Sequence, residues 1–360
     1  MKRVALIGPV YPFKGGIAHY TGLLSRALSK RFTVRTISYS MQYPKLLMKR
    51  EQKDYQNDSF AVEAEFLLNT ANPFNIVKTA HEINNWKPDL VIIQWWHPYF
   101  ALCYRILLSV LKAPVLYICH NVFPHEHFVS DRALTKLALK KGSCFILHSE
   151  KQIPELKEVV PEGSYAVNMH PTYEAFRFGE MPVKASGEKV LLFFGYVRPY
   201  KGLKYLLEAL VPLPDVRLIV AGDFGGTREE YEAVMAEKGI SGRVELHDGY
   251  TPDKEIEGYF ARCDAVVLPY VSATGSGIAQ LSFGFGKPII ATKAGSLPEV
   301  VKDGKTGVLC ECASADSLSG GIRRFYELKE HTDFAEEIRL DSERFSWEHM
   351  VDSIENLAFR

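Results

Sequence analysis

The chain has 360 residues, 47% apolar and 24% charged, a balance that excludes a disordered protein and at this length suggests two domains. Lys plus Arg and Asp plus Glu both number 43, so formal net charge is zero and no global field points to nucleic acid. Any phosphate binding must therefore come from local basic groups. The six cysteines (Cys103, Cys119, Cys144, Cys263, Cys310 and Cys312) include no CxxC pair. That argues against a disulfide framework or a zinc site and for reduced thiols in a cytoplasmic protein.

The N-terminus runs Met1-Lys2-Arg3 into a short apolar run, VALIG (4–8), which stops at Pro9. This is too short for the apolar core of a signal peptide, and no later run reaches the ~18–20 residues of a spanning helix. The most apolar stretch, 99–111, is interrupted by Arg105 and reads as a buried core helix. Strand-like runs follow at 33–39, 90–95, 115–121, 144–149 and 165–170. A second series occupies 189–195, 216–222, 243–248, 265–270, 288–292 and 307–310. Amphipathic patterns at 18–30, 202–211, 228–239, 253–262, 314–328 and 347–359 predict helices between and after them. The stretch 41–58 is polar and partly basic and reads as a loop.

Alternation of this kind is the signature of βαβ units, and continuous apolar strands are those buried on both faces of a parallel sheet. The pattern restarts after the polar stretch 179–189, where the interdomain linker is placed. The expected architecture is α/β, with two Rossmann-like domains at 1–180 and 190–345 facing across a cleft. A helix at 346–360 returns to the first domain. Ligands of open α/β sheets bind at the carboxyl ends of strands.

Three segments carry candidate chemistry. Gly15 and Gly16 open a helix after the first strand, where free amides and the helix dipole suit an anion; the spacing is not GxGxxG, and an ordinary turn is the competing reading. In the second domain FFGYVRPYKG puts Arg198 and Lys201 in the loop after a strand, a fork and a point charge suited to a diphosphate unless both are solvated. After the strand ending at Pro269, Thr274, Ser276 and Gly277 can supply a hydroxyl and amides at a helix start.

In their combined order these segments resemble the donor-binding half of glycosyltransferase family 4, whose members have the GT-B fold. FGYVRPYKG is similar to the family's Gly-Arg-x-x-x-x-Lys-Gly segment, and AGSLPEVVKDGKTGVL closely matches Gly-Gly-x-Pro-Glu-x-Val-x-x-Gly-x-x-Gly. PFKGGIAHY resembles the N-terminal glycine loop, and ICHNVFPHE the strand end that presents a histidine to the donor sugar. The resemblance implies that Arg198 and Lys201 hold the donor diphosphate, that Gly15 and Gly16 close on it, and that His120 sits beside the transferred sugar. It further implies donor contacts at Tyr250, Ser276, Gly277, Ile278 and Glu299, and a retaining reaction in which cations and amides replace a metal ion. A nucleotide-diphosphate sugar is then the co-substrate and no cofactor is expected.

Two departures stand out. The family's two glutamates, eight positions apart, fall on Ala273 and Leu281, and its usual arginine directly after the strand glycine is Tyr196. Arg198, two residues on, is expected to reach the same phosphate. His120, His125, Glu126 and His127 match no standard metal spacing. His120 is read as functional, with a structural histidine as the alternative, and His125 and Glu126 are candidates for the acceptor side. His148 and His170, also at strand ends, are left open. The cluster Trp95, Trp96, Pro98, Tyr99 and Phe100 reads as core packing, with sugar stacking the alternative. The basic stretch 45–53 is a solvated surface or a contact to anionic lipid or a lipid-linked acceptor. The reading is a metal-independent, retaining hexosyltransferase acting on a glycan or glycolipid, in the cytoplasm or peripheral to the inner membrane face. Its rival is a sugar-nucleotide-binding protein that kept the fold and lost catalysis; an epimerase would need a carboxylate where Ala273 stands.

Overall fold

The computed structural model describes residues 1–48, 51–55, 58, 60–124, 130–173, 187–273 and 275–359. The chain forms two compact units: Met1–Met169 together with Ser346–Arg360, and His170–Phe345. The first boundary precedes the polar stretch 179–189, most of which lies outside the described residues.

The first unit is built on seven parallel strands: β1 (Arg3–Ile7), β2 (Thr33–Met41), β3 (Glu65–Asn69), β4 (Leu90–Trp95), β5 (Val115–Cys119), β6 (Cys144–Leu147) and β7 (Ser164–Val167). Their order is β3-β2-β1-β4-β5-β6-β7. Both faces are covered, which is why β4 and β5 are buried at every position. Alternate residues of β1 feed two separate cores. Ala5 and Ile7 join Tyr39, Trp95 and Tyr117 on one face. Val4 and Leu6 join Tyr20, Leu24 and Leu28 on the other, together with Met350, Val351 and Ile354 of the last helix, Trp347–Ala358.

That helix is capped by Ser346, whose side chain accepts from the His349 amide. Ion pairs Lys30–Glu348 and Arg31–Asp352 tie it to the helix Gly16–Ser29, but all four groups are substantially exposed. Exposed pairs contribute about 0–1 kcal/mol, whereas each fully buried aliphatic side chain contributes roughly 1.5–3 kcal/mol, so the apolar face holds this helix.

Two expectations need adjustment. The strand β3 has no counterpart in the sequence reading because it is an edge: Glu65 and Phe66 are exposed, only Leu68 is buried, and no alternation survives. The stretch 99–111 is a short turn, Pro98–Phe100, followed by the helix Ala101–Val110. It buries Ala101, Cys103, Tyr104, Leu107 and Leu108 while Leu102 faces solvent, so it is one-sided and not a helix buried all round. Trp95 and Phe100 are fully buried, and the Trp95 indole donates to the Val122 carbonyl, as core packing requires. Among the described residues no helix is long and apolar enough to cross a membrane.

The second unit has six parallel strands: β8 (Lys189–Phe194), β9 (Val216–Gly222), β10 (Val244–Asp248), β11 (Ala265–Leu268), β12 (Ile289–Thr292) and β13 (Gly307–Cys310). Their order is β10-β9-β8-β11-β12-β13. In both sheets the order reverses once, between β1 and β4 and between β8 and β11. Those points leave a crevice beyond the carboxyl ends of the strands, the place where open α/β sheets bind ligands.

Candidate active site

In the second unit the segments beyond β8 and β11 meet at the switch point. The chain leaves β8 through Gly195 (φ +95°), whose amide donates to the Ala221 carbonyl. Arg198 then starts the turn Pro199–Lys201, and Gly202 ends it in the left-handed region (φ +70°). A Cβ at Gly202 would stand 2.0 Å from the Pro269 carbonyl oxygen, so only glycine lets this turn pack against the end of β11.

The turn directs Lys201 back over the strand end. A Cβ placed on Gly195 would lie 3.4 Å from both Lys201 Nζ and Ile278 Cδ1, so these two side chains converge on one point. Lys201 is 8% exposed, the only lysine or arginine buried among the described residues. None of the described carboxylates pairs with it. Burial, and then the nearby Arg198 charge, push its pKa down to about 8. Arg198 lies over the Tyr196 ring at 5.5 Å, and its Nη1 donates to the Val197 carbonyl at 2.8 Å. A Cβ on Gly225, beyond β9, would come within 2.9 Å of that Nη1.

The other side of the crevice is the helix Gly277–Gly284, with Ser276 at its N-cap. The Ser276 hydroxyl does not cap the helix; it lies 3.2 Å from the buried Tyr270 hydroxyl, and the Tyr270 ring lies 5.7 Å from Lys201 Nζ. No acidic residue occupies the first turn of this helix. Lys201, without an acidic partner among the described residues, therefore lies beside a helix start that offers amides, with the Arg198 charge nearby, an arrangement that suits a phosphate group. Thr274 lies outside the described residues. Leu281 is buried, and Ala273 presents its carbonyl to the loop at Gly295, where a Cβ would stand only 1.8 Å away.

Tyr250 stands half exposed beyond β10 with its hydroxyl 3.4 Å from Asp253 Oδ1. Glu299 lies in the short helix Leu297–Val300 beyond β12, its carbonyl accepting from Arg344. Neither is among the side chains that meet at Gly195.

In the first unit Gly15 (φ +100°) precedes the helix Gly16–Ser29, whose first turn also lacks an acidic residue. His120 follows β5, its amide donating to the Trp95 carbonyl at 2.9 Å. Its ring packs edge-on against Tyr20 at 4.7 Å and lies 5.3 Å from the His148 ring, while its Nε2 is 2.7 Å from Gln94 Oε1. Gln94 escaped the sequence reading, although a single amide inside the apolar run LVIIQW was a usable signal. In His148, Nδ1 lies 2.8 Å from the Asn168 carbonyl, and burial pushes the pKa down to about 4. His170 belongs to the second unit, where its ring contacts the Pro171 carbonyl and Tyr173. His125 and Glu126 lie outside the described residues.

The family description Glyco_transf_4 (Glycosyltransferase Family 4) matches residues 14–163, and Glycos_transf_1 (Glycosyl transferases group 1) matches residues 179–340. The chain belongs to glycosyltransferase family 4.

Curated family relatives include the lipopolysaccharide 1,2-N-acetylglucosaminetransferase of Salmonella typhimurium, 30% identical over 184 residues, 48% of each chain. The D-inositol 3-phosphate glycosyltransferase of Segniliparus rotundus is 28% identical over 233 residues, 62% of this chain and 51% of the other. The chain thus spans about half the length of these relatives. Among solved structures, sucrose-phosphate synthase of Thermosynechococcus elongatus superposes with a TM-score of 0.75 at 16% identity, covering 99% of this chain and 98% of that one. Anabaena Alr3699/HepE in complex with UDP and glucose gives 0.73 at 19% identity, covering 99% and 100%. These likenesses place this member of glycosyltransferase family 4 in the GT-B fold.

Proposed function

We propose that the protein transfers a hexose from a nucleotide-diphosphate sugar to an acceptor hydroxyl of a glycan or glycolipid, with retention of configuration and without a metal ion. The observation that carries this reading is Lys201, a buried ammonium with no carboxylate partner among the described residues, beside Arg198 and the helix start at Ser276. A buried charge without a partner is costly, and an anionic ligand removes that cost.

In the reaction the bond from the anomeric carbon to the β-phosphate oxygen breaks as the acceptor oxygen bonds on the same face, and the hydroxyl proton leaves with the phosphate. Negative charge grows on the departing diphosphate. Lys201, Arg198 and the amides at Gly277 and Ile278 stabilise that growing charge more than the ground state, and only such differential binding speeds the step. Gly15 and Gly16 supply further amides, His120 contacts the donor sugar, and Tyr250 and Glu299 complete the donor contacts. His125 and Glu126 serve the acceptor, and the protein works in the cytoplasm.

The replacement of both family glutamates by Ala273 and Leu281 favours a second reading, a sugar-nucleotide-binding protein with weakened catalysis. A metal-free thermal-shift screen over UDP-, GDP-, ADP- and TDP-sugars decides first whether a donor binds, since a ligand of the folded state raises apparent stability. At least one donor is expected to raise the melting temperature with EDTA present. NMR of the product then reads the anomeric configuration. Binding in calorimetry without release of nucleoside diphosphate to any acceptor would leave only the second reading.

The same reading gives the loop beyond β2 a place. Leu46 is 87% and Leu47 65% exposed, beside Lys45, with Lys53 close behind. Exposed leucines among cations suit the interface of an anionic bilayer. Vesicles of phosphatidylglycerol are expected to pellet the protein and phosphatidylcholine vesicles to leave it in solution, with Leu46→Ser/Leu47→Ser removing the difference. Equal pelleting by both lipids, or no loss in the variant, counts against peripheral membrane contact.

A further inference from the structure

We propose that Gln94 is a positioning residue for the transfer, holding the His120 imidazole in the orientation and tautomer in which it meets the donor sugar; this rests on the role given to His120 above. Gln94 occupies the carboxyl end of β4, one of the two strands that flank the switch point of the first sheet. It is fully buried in a strand whose other members are Leu90, Val91, Ile92, Ile93 and Trp95. A polar side chain there carries a desolvation cost unless its groups are paired.

Its pairing is incomplete and one-sided. Oε1 lies 2.7 Å from His120 Nε2, while Nε2 of the amide has no hydrogen-bond partner among the described residues. An amide oxygen only accepts, so His120 Nε2 carries a proton, and in the neutral ring the lone pair is on Nδ1. Packing alone does not account for retaining a buried amide with an unanswered N–H group at this position; the bond to His120 does.

The amide is itself held in place. A Cβ on Gly8, where the chain leaves β1, would stand 2.7 Å from Gln94 Cγ and 2.9 Å from Thr21 Oγ1, so glycine there leaves the space the glutamine fills. The Gln94 carbonyl accepts from Tyr104, and Gln152 Nε2 donates to the His120 carbonyl at 3.1 Å. The residue is thus fixed at its backbone, at its T-shaped ring contact with Tyr20 and at Nε2, the threefold support that holds a side chain to a single pose.

The test compares Gln94→Met, His120→Ala and the double variant, reading release of nucleoside diphosphate from the sugar nucleotide that the thermal screen selects. Gln94→Met keeps the volume and removes the acceptor; it is expected to lower kcat about 10- to 100-fold while leaving the donor KM and the melting temperature near wild type. In the His120→Ala background the same substitution is expected to have no further effect, since nothing remains to be positioned. Gln94→Glu, which keeps an acceptor oxygen at the same reach, is expected to lose less than Gln94→Met. Wild-type kcat in Gln94→Met, an equal loss with and without His120, or the reverse order of the Glu and Met variants would overturn the proposal. Wild-type turnover in His120→Ala alone would remove the role of His120, and that failure is read without touching Gln94.

Discussion

Lys201→Met is expected to lose nucleoside diphosphate binding at neutral pH and, in the absence of ligand, to melt at a higher temperature than the wild type. The two effects share one cause. Lys201 is buried without an acidic partner among the described residues, and its pKa is held near 8 by burial and by Arg198. A lysine whose folded pKa lies below its unfolded value binds fewer protons folded than unfolded between about pH 8 and 10.5. Stability therefore rises with pH across that window, and the full penalty of the buried charge applies below it. At 1.36 kcal/mol per pKa unit the penalty is about 3 kcal/mol, and methionine removes it while keeping the volume. Binding moves the other way. A diphosphate stabilises the ammonium, so affinity is expected to fall as pH passes about 8 in the wild type and to show no such limb in Lys201→Met. Loss of one charge-stabilising contact lowers transfer about 10²- to 10³-fold, or about 2.7–4 kcal/mol of barrier. Calorimetric titration with UDP and thermal melts from pH 6.5 to 9.5 check both arms. A variant that melts lower, or binds as before, would show that Lys201 is a structural group.

Arg198→Ala is expected to reduce kcat/KM by about 10²-fold or more, with Tyr196→Phe remaining within about threefold of wild type. The family's usual arginine position holds Tyr196 here, and the guanidinium of Arg198 lies over the Tyr196 ring while bonding the Val197 carbonyl. The ring thus contributes a face for the cation, which phenylalanine also supplies. Arg198→Lys is expected to recover only part of the loss, because an ammonium cannot offer the planar fork that fits two phosphate oxygens. Steady-state kinetics on the four proteins discriminate. Activity that survives in Arg198→Ala and disappears in Tyr196→Phe would assign the phosphate contact to the tyrosine hydroxyl instead.

The parts of the site that were legible before folding are those with a local signature. Arg198 and Lys201 follow an apolar strand and precede a helix, and Ser276 and Gly277 stand at a helix start, so their neighbourhood is encoded within a few residues. Gln94 was not legible in the same way, since its partner His120 is 26 residues away and only the pairing of β4 with β5 brings them side by side. The edge strand β3 was missed for a related reason: exposed on most of its surface, it has no need of an apolar pattern.

Composition and periodicity by themselves determined an α/β chain of two parallel sheets, because strands covered on both faces must be continuous apolar runs and the helices between them must be amphipathic. They also placed glycines and cations at strand ends. What only the tertiary structure decided is the environment of those groups. Whether Lys201 is a solvated cation or a buried one, and whether Gln94 packs or positions, depends on which distant residues close around them, Ile278 at Gly195 in one unit and Thr21 at Gly8 in the other. Desolvation is a property of the assembled neighbourhood, not of the residue, and it is desolvation that gives Lys201 its lowered pKa.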